Sequence, residues 1–149
     1  MNVEKAWSAF ASGDWGLAKR EFEAAAERDP SPEVIDGLGR TLWWLKDVTA
    51  AIEVRTTAYG AYRRANKLEQ AAHVAAWLAR ELRTLFRNDA AADGWLARAE
   101  TIAAELPASP IGGWISLARA EASSLNCPGS DGGLDGWGYA TSLDCGCSR

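Results

Sequence analysis

What the chain has little of narrows its chemistry first. It carries one histidine, His73. A proton-transfer pair and a His-based zinc site each need a second titrating or ligating group of that kind, so neither is expected. The three cysteines, Cys127, Cys145 and Cys147, all lie near the C-terminus and are odd in number, which excludes a disulfide framework for the body of the chain. No serine or cysteine sits in a nucleophile turn, and no glycine-rich phosphate loop or dinucleotide fingerprint is present. No catalytic residue is therefore assigned, no metal site is assigned, and no cofactor is called for. The start, Met1 to Phe10, carries Glu4 and Lys5 without a long apolar core, so it does not read as a signal peptide. No run approaches the roughly 20 apolar residues of a membrane span. A membrane partner is not expected, and the cytoplasm is the default location. A basic surplus is also missing. The net charge of -4 argues against direct nucleic-acid binding.

What is present is a spacing. Gly13-Asp14-Trp15 is followed by Ala18, Phe22 and Ala25 at i, i+4 and i+7, and Pro30 stops the run. Small residues at such positions let two helices approach, and the large one fills the groove between them. Asp47 heads a second run with Ala51 and Ala58, a shift of 33 residues, which is the length of a helical-pair repeat. Seven helices follow from caps and periodicity. The first runs from about Val3 to Ala11, and Asp14 caps the second, which reaches Arg28. Ser31-Pro32-Glu33 opens a third with the stripe Ile35, Leu38, Leu42 and Leu45. Lys46 stands where a turn glycine is expected, which points to a strained or longer turn. The fourth helix spans about Asp47 to Arg64, and Asn66 suits a left-handed turn residue. Leu68 to Leu85 makes a fifth, Asn88-Asp89 repeats the turn signal, and a sixth carries Trp95, Leu96, Ala99, Ile102 and Leu106. Ser109-Pro110 opens a seventh with Trp114, Ile115, Ala118 and Ala122. The expectation is an all-α single domain over residues 1–124, a right-handed stack of helix pairs, with an irregular Gly- and Cys-containing tail over 125–149.

The pattern Gly13-Asp14-Trp15, Ala18, Phe22, Ala25, Pro30 resembles the second half of a tetratricopeptide repeat. Leu38-Gly39, Ala51 and Ala58 resemble the next. Leu38-Gly39 through Leu42-Trp43-Trp44-Leu45-Lys46-Asp47, with Ala58-Tyr59, Tyr62-Arg63, Gly94-Trp95 and Gly113-Trp114, is similar to the helical-repeat region of certain bacterial LuxR-type transcriptional regulators. The resemblance covers residues 3 to about 122. It implies a protein-binding repeat module in transcription regulation. The DNA-binding helix-turn-helix domain of such regulators has no counterpart after Ser124.

Binding candidates follow from chemistry. Adjacent Trp43 and Trp44 point about 100° apart on a helix, so one fills the inter-helix gap while the other reaches the groove. Trp7, Trp77 and Trp95 read as packing rings. Arg55, Tyr59, Tyr62 and Arg63 form a polar-aromatic patch suited to a peptide carboxylate, or else ordinary helix surface. Arg55 to Arg87 is the basic stretch, read either as solvated faces paired with acidic neighbours or as a face for an acidic partner. The partner-binding set is Arg40, Trp44, Arg55, Tyr59, Tyr62 and Arg63, on a concave groove formed by the first helices of the pairs. The partner class is a protein or peptide, a second copy of the chain included. The tail reads as a truncated or frame-shifted continuation of a longer regulator. Its alternative is a small precursor or effector whose Ser, Thr and Cys residues are modified or hold a metal.

Overall fold

The computed structural model describes residues 3–106 and 109–125, and these form seven α-helices with no strand among them. In order they are α1 (Val3–Ser12), α2 (Trp15–Ala26), α3 (Pro32–Trp44), α4 (Val48–Arg64), α5 (Leu68–Thr84), α6 (Asp89–Ala104) and α7 (Ile111–Leu125). The tail readings, and with them Cys127, Cys145 and Cys147, lie outside the described residues.

The helix starts are written locally. Asp14, Asp47 and Asn88 precede α2, α4 and α6, and their side-chain oxygens accept the N–H groups of Leu17, Ala50 and Ala91 at 3.0, 3.3 and 3.1 Å. Each bond satisfies one of the orphan donors of a first helical turn. The residue before each cap is left-handed: Gly13 with φ 80°, Lys46 with φ 67° and Arg87 with φ 53°. The glycine role expected at position 46 is thus taken by a lysine without any lengthening of the turn. Asn66 is left-handed as its chemistry favours, at φ 55°. At the α5–α6 turn Arg87 takes that conformation, and Asn88 serves as the cap. Three of these turns close identically. The N–H groups of Asp14, Asp47 and Lys67 reach the carbonyls of Ala9, Leu42 and Tyr62, five residues back, at 2.9–3.0 Å.

Each helix packs on the next in sequence, with further contacts of α7 on α5 and of α3 on α1. Three helices bury the same triplet at the same distance from their caps. These are Ala18, Phe22 and Ala25 on α2, Ala51, Arg55 and Ala58 on α4, and Ala92, Leu96 and Ala99 on α6. The third triplet was not legible as a repeat because α4 and α5 are both longer than α2 and α3, so its shift differs.

α3 lies between α2 and α4, and its glycines make that possible. A Cβ on Gly37 would stand 2.4 Å from the Phe22 ring, and one on Gly39 would stand 2.4 Å from Cγ of Arg55. Packing on two sides also changes which residues α3 buries. Val34, Asp36, Gly37, Gly39, Thr41 and Leu42 are buried, whereas Ile35 and Leu38 of the expected stripe are half-buried and Leu45 is exposed. The apolar interior falls into two clusters. One joins α1, α2 and the start of α3 around Phe22, and the other joins α4 to α7 around Leu78, Ile102 and Ile111. Between them lie Asp36, Thr41 and Arg55, buried polar groups at the α3–α4 contact.

Candidate functional site

Three helices present matching stripes to one groove. α3 offers Arg40, Trp43 and Trp44, α5 offers His73, Trp77, Arg80 and Glu81, and α7 offers Trp114, Leu117, Ala118 and Glu121. Within these sets the residues recur at three or four and at seven or eight positions, the spacing of one broad helical side. No Cα of α3 lies within 8 Å of one in α5. The gap between them is a groove of about 400 Å³, with Phe10 at one side and Arg55 rising from α4 into it. It continues past His73, Trp77 and Arg80 into a smaller hollow of about 190 Å³ against α7.

An ion cluster sits in this groove. Nε of Arg55 donates to Oδ1 of Asp36 at 2.8 Å, and Nε and Nη2 of Arg40 both reach Oδ2 at 2.8 Å. The Arg55 side chain is only 5% exposed, while that of Arg40 is 45% exposed. Burial pulls the Arg55 guanidinium below its ordinary pKa, and the Asp36 carboxylate works against that shift. The indole of Trp77 covers the Arg55 guanidinium, with its centroid 4.1 Å from Cζ. Two guanidiniums sharing one carboxylate leave one positive charge. Nearby, Trp43 Nε1 donates to Glu81 at 3.1 Å across the gap.

Aromatic rings line the groove's edge in series. Phe10 meets Trp15 edge-on at 5.1 Å, Trp15 stacks on Trp44 at 5.1 Å, and Trp44 meets Trp43 edge-on at 5.1 Å. Trp44 is nonetheless 46% exposed. Further along, Trp114 and Leu117 stand exposed on α7, and His73 lies 5.6 Å from the Trp114 ring. Burial lowers the His73 pKa, and the positive charges of Arg40 and Arg55 lower it further, so the imidazole is neutral at pH 7.

Of the residues singled out from sequence, Arg40, Trp44 and Arg55 meet in this groove. Tyr59 and Arg63 do not. They line a separate hollow between α4 and α6 with Ala97, Arg98 and Thr101, where Tyr59 packs edge-on against Trp95. Tyr62 is buried in the core of α4 to α7, and burial, followed by the Asp36 and Glu33 charges, pushes its phenol up to about 12. Arg55, Tyr59, Tyr62 and Arg63 are thus divided among the α3–α5 groove, the α4–α6 hollow and the core rather than gathered in one patch. The basic stretch is not one face either. Arg83 is buried and bound to Asp93 and Asp89 at 2.5 and 3.3 Å, Lys67 is paired with Glu33, and Arg80 lies 3.8 Å from Glu121.

Sequence reasoning passed over Asp36 and Glu81, took Arg80 only as part of the basic stretch, and gave Trp77 to packing alone. One signal was available: the shift of 33 that matches Ala18 to Ala51 also sets Arg55 against Phe22. Among the described residues, no group of three or more His, Cys, Asp or Glu is placed to hold a metal ion. No described helix is long and apolar enough to cross a membrane. Compared with known proteins, the chain matches no family model, no curated protein and no solved structure.

Proposed function

We propose that these helices are a non-catalytic protein-binding module of tetratricopeptide-like, right-handed helix pairs, taking a protein or peptide segment along the α3–α5–α7 groove. The observation that carries this reading is the set of three matched stripes on successive odd-numbered helices, which line one continuous groove with aromatic rings and guanidiniums. Exposed indoles beside arginines are the side chains most enriched where proteins bind tightly. In its fuller form the reading is the helical-repeat part of a LuxR-type transcriptional regulator of bacterial cytoplasm, without direct DNA contact by this chain. That form rests on the sequence resemblance over residues 3 to about 122.

Photo-crosslinking in cells tests the groove. A benzophenone side chain replacing Trp44 is expected to capture a discrete polypeptide, and the same group replacing Thr101, in the α4–α6 hollow, is expected to capture none. If position 44 yields nothing, or both positions yield the same products, the groove is not the binding surface.

A further inference from the structure

We propose that Arg40 and Arg55 form a carboxylate-binding subsite, and that the segment taken by the groove is an acidic peptide with an Asp or Glu beside a large apolar residue. The proposal rests on the groove reading above and names the chemistry of its occupant.

Position is the first argument. Eight residues past the helix cap, α2 has Phe22 and α6 has Leu96, both buried and apolar, whereas α4 has Arg55. Packing at that site needs only bulk. A buried guanidinium loses hydration that a well-formed ion pair restores only in part, so the arginine adds nothing to stability over a phenyl ring. Stoichiometry is the second argument. Asp36 takes Nε of Arg55 and two nitrogens of Arg40. Among the described residues Arg55 donates no other hydrogen bond, yet no side-chain nitrogen there is both fully buried and unpaired. Its Nη groups therefore keep access to the groove. Trp77 covers one face of the guanidinium, and the free N–H edge lies in the guanidinium's own plane, the direction from which a carboxylate accepts two parallel bonds.

The remaining charge selects the ligand. The cluster carries one net positive charge, which suits a monoanionic carboxylate better than a phosphate dianion. Partial burial strengthens such a bond over its value in water. Trp43, Trp44 and Trp77 then supply apolar walls for the neighbouring side chain.

The test is calorimetric titration of the full chain at low salt with a blocked pentapeptide, Leu-Glu-Phe-Glu-Leu, against its amide counterpart, Leu-Gln-Phe-Gln-Leu. The acidic peptide is expected to bind at least about tenfold tighter, as for a hydrogen-bonded charge. Arg40→Gln should remove most of that preference. Because Arg55→Ala would leave Asp36 buried without its partner, the second variant is Asp36→Leu with Arg55→Phe, which keeps the site filled. It should also bind both peptides alike, with its fold checked by circular dichroism. Equal affinity of the unaltered chain for both peptides overturns the carboxylate subsite and leaves the groove reading standing. A preference for the acidic peptide that survives both variants overturns it as well. So does tighter binding of a phosphoserine peptide than of the glutamate one.

Discussion

The first helix pair and the second are built to one plan and differ at its centre. Both have a left-handed residue, an aspartate cap, and two alanines buried between the helices, and both close the preceding turn with a bond five residues back. In the first pair Phe22 occupies the central position, fully buried among Trp7, Ala6 and Val34, with Trp7 edge-on at 5.0 Å. In the second pair Arg55 occupies it, and Asp36, Arg40 and Trp77 gather around it. The same backbone thus supports a closed apolar core at one place and a polar opening at the next. The difference teaches that this architecture holds its helices together mainly through small residues at the crossing points. The large central residue is free to take other work if its charge is matched.

The comparison breaks most sharply at the charge match. Asp36→Ala leaves the Arg55 guanidinium buried without a partner, and a loss of about 3–5 kcal/mol is expected in urea unfolding. Adding Arg55→Phe, with leucine at position 36, should recover most of that loss, because the second pair then has the chemistry of the first. If Asp36→Ala costs no more than an exposed ion pair, the buried cluster is not what closes the α3–α4 contact.

A smaller effect is expected where α3 meets α2. Gly37→Ala drives a methyl into the fully buried Phe22 ring, and overpacking of this kind costs about 1–3 kcal/mol. Phe22→Leu in the same chain should relieve part of it. Independent, additive losses in the double variant would show that the ring and Gly37 do not set one another's position.

The turns sharpen the comparison in the opposite direction. Lys46→Gly gives the second pair the turn residue of the first. It removes about 1–2 kcal/mol of left-handed strain and returns about 0.4–1 kcal/mol of unfolded-state entropy. A net gain of about 0.5–1 kcal/mol is expected in thermal unfolding. Gly13→Ala should lose stability for the converse reason, and a neutral result for both would mean that the turn tolerates either residue.

The smallest effect is set by pH. The folded-state pKa of His73 lies below its unfolded value, so the unfolded chain binds the proton more readily. That contribution to stability is fully present above the unfolded pKa, about 6.5, and fades as pH falls through it toward the folded value. His73→Gln should flatten this part of the stability profile. An unchanged profile would place the acid sensitivity on carboxylates instead.

Much of the fold was legible because its signals are local. Asp14, Asp47 and Asn88 cap through bonds that span only a few residues, Pro32 starts α3, and the left-handed Asn66 follows from its own side chain. The alanine spacing likewise announces close helix crossings, since only small residues permit them. Three things depended on which helices came together. The burial of Asp36, Gly37 and Thr41 in place of a simple leucine stripe follows from α3 being packed on two sides. The separation of Tyr59 and Arg63 from Arg55 follows from the helices they meet, α3 and α5 for Arg55 and α6 for the other two, which helical spacing alone does not express. The groove itself exists because no Cα of α3 comes within 8 Å of one in α5, and the partners that line it, Asp36 for Arg55 and Glu81 for Trp43, come from residues 19 and 38 positions away. The sequence by itself determined where helices begin, end and approach one another, because those are short-range matters of capping, backbone strain and side-chain size. Only the tertiary structure decided that a buried arginine would find its carboxylate and leave its free edge facing an open groove, because burial and charge pairing are properties of neighbours distant in the chain.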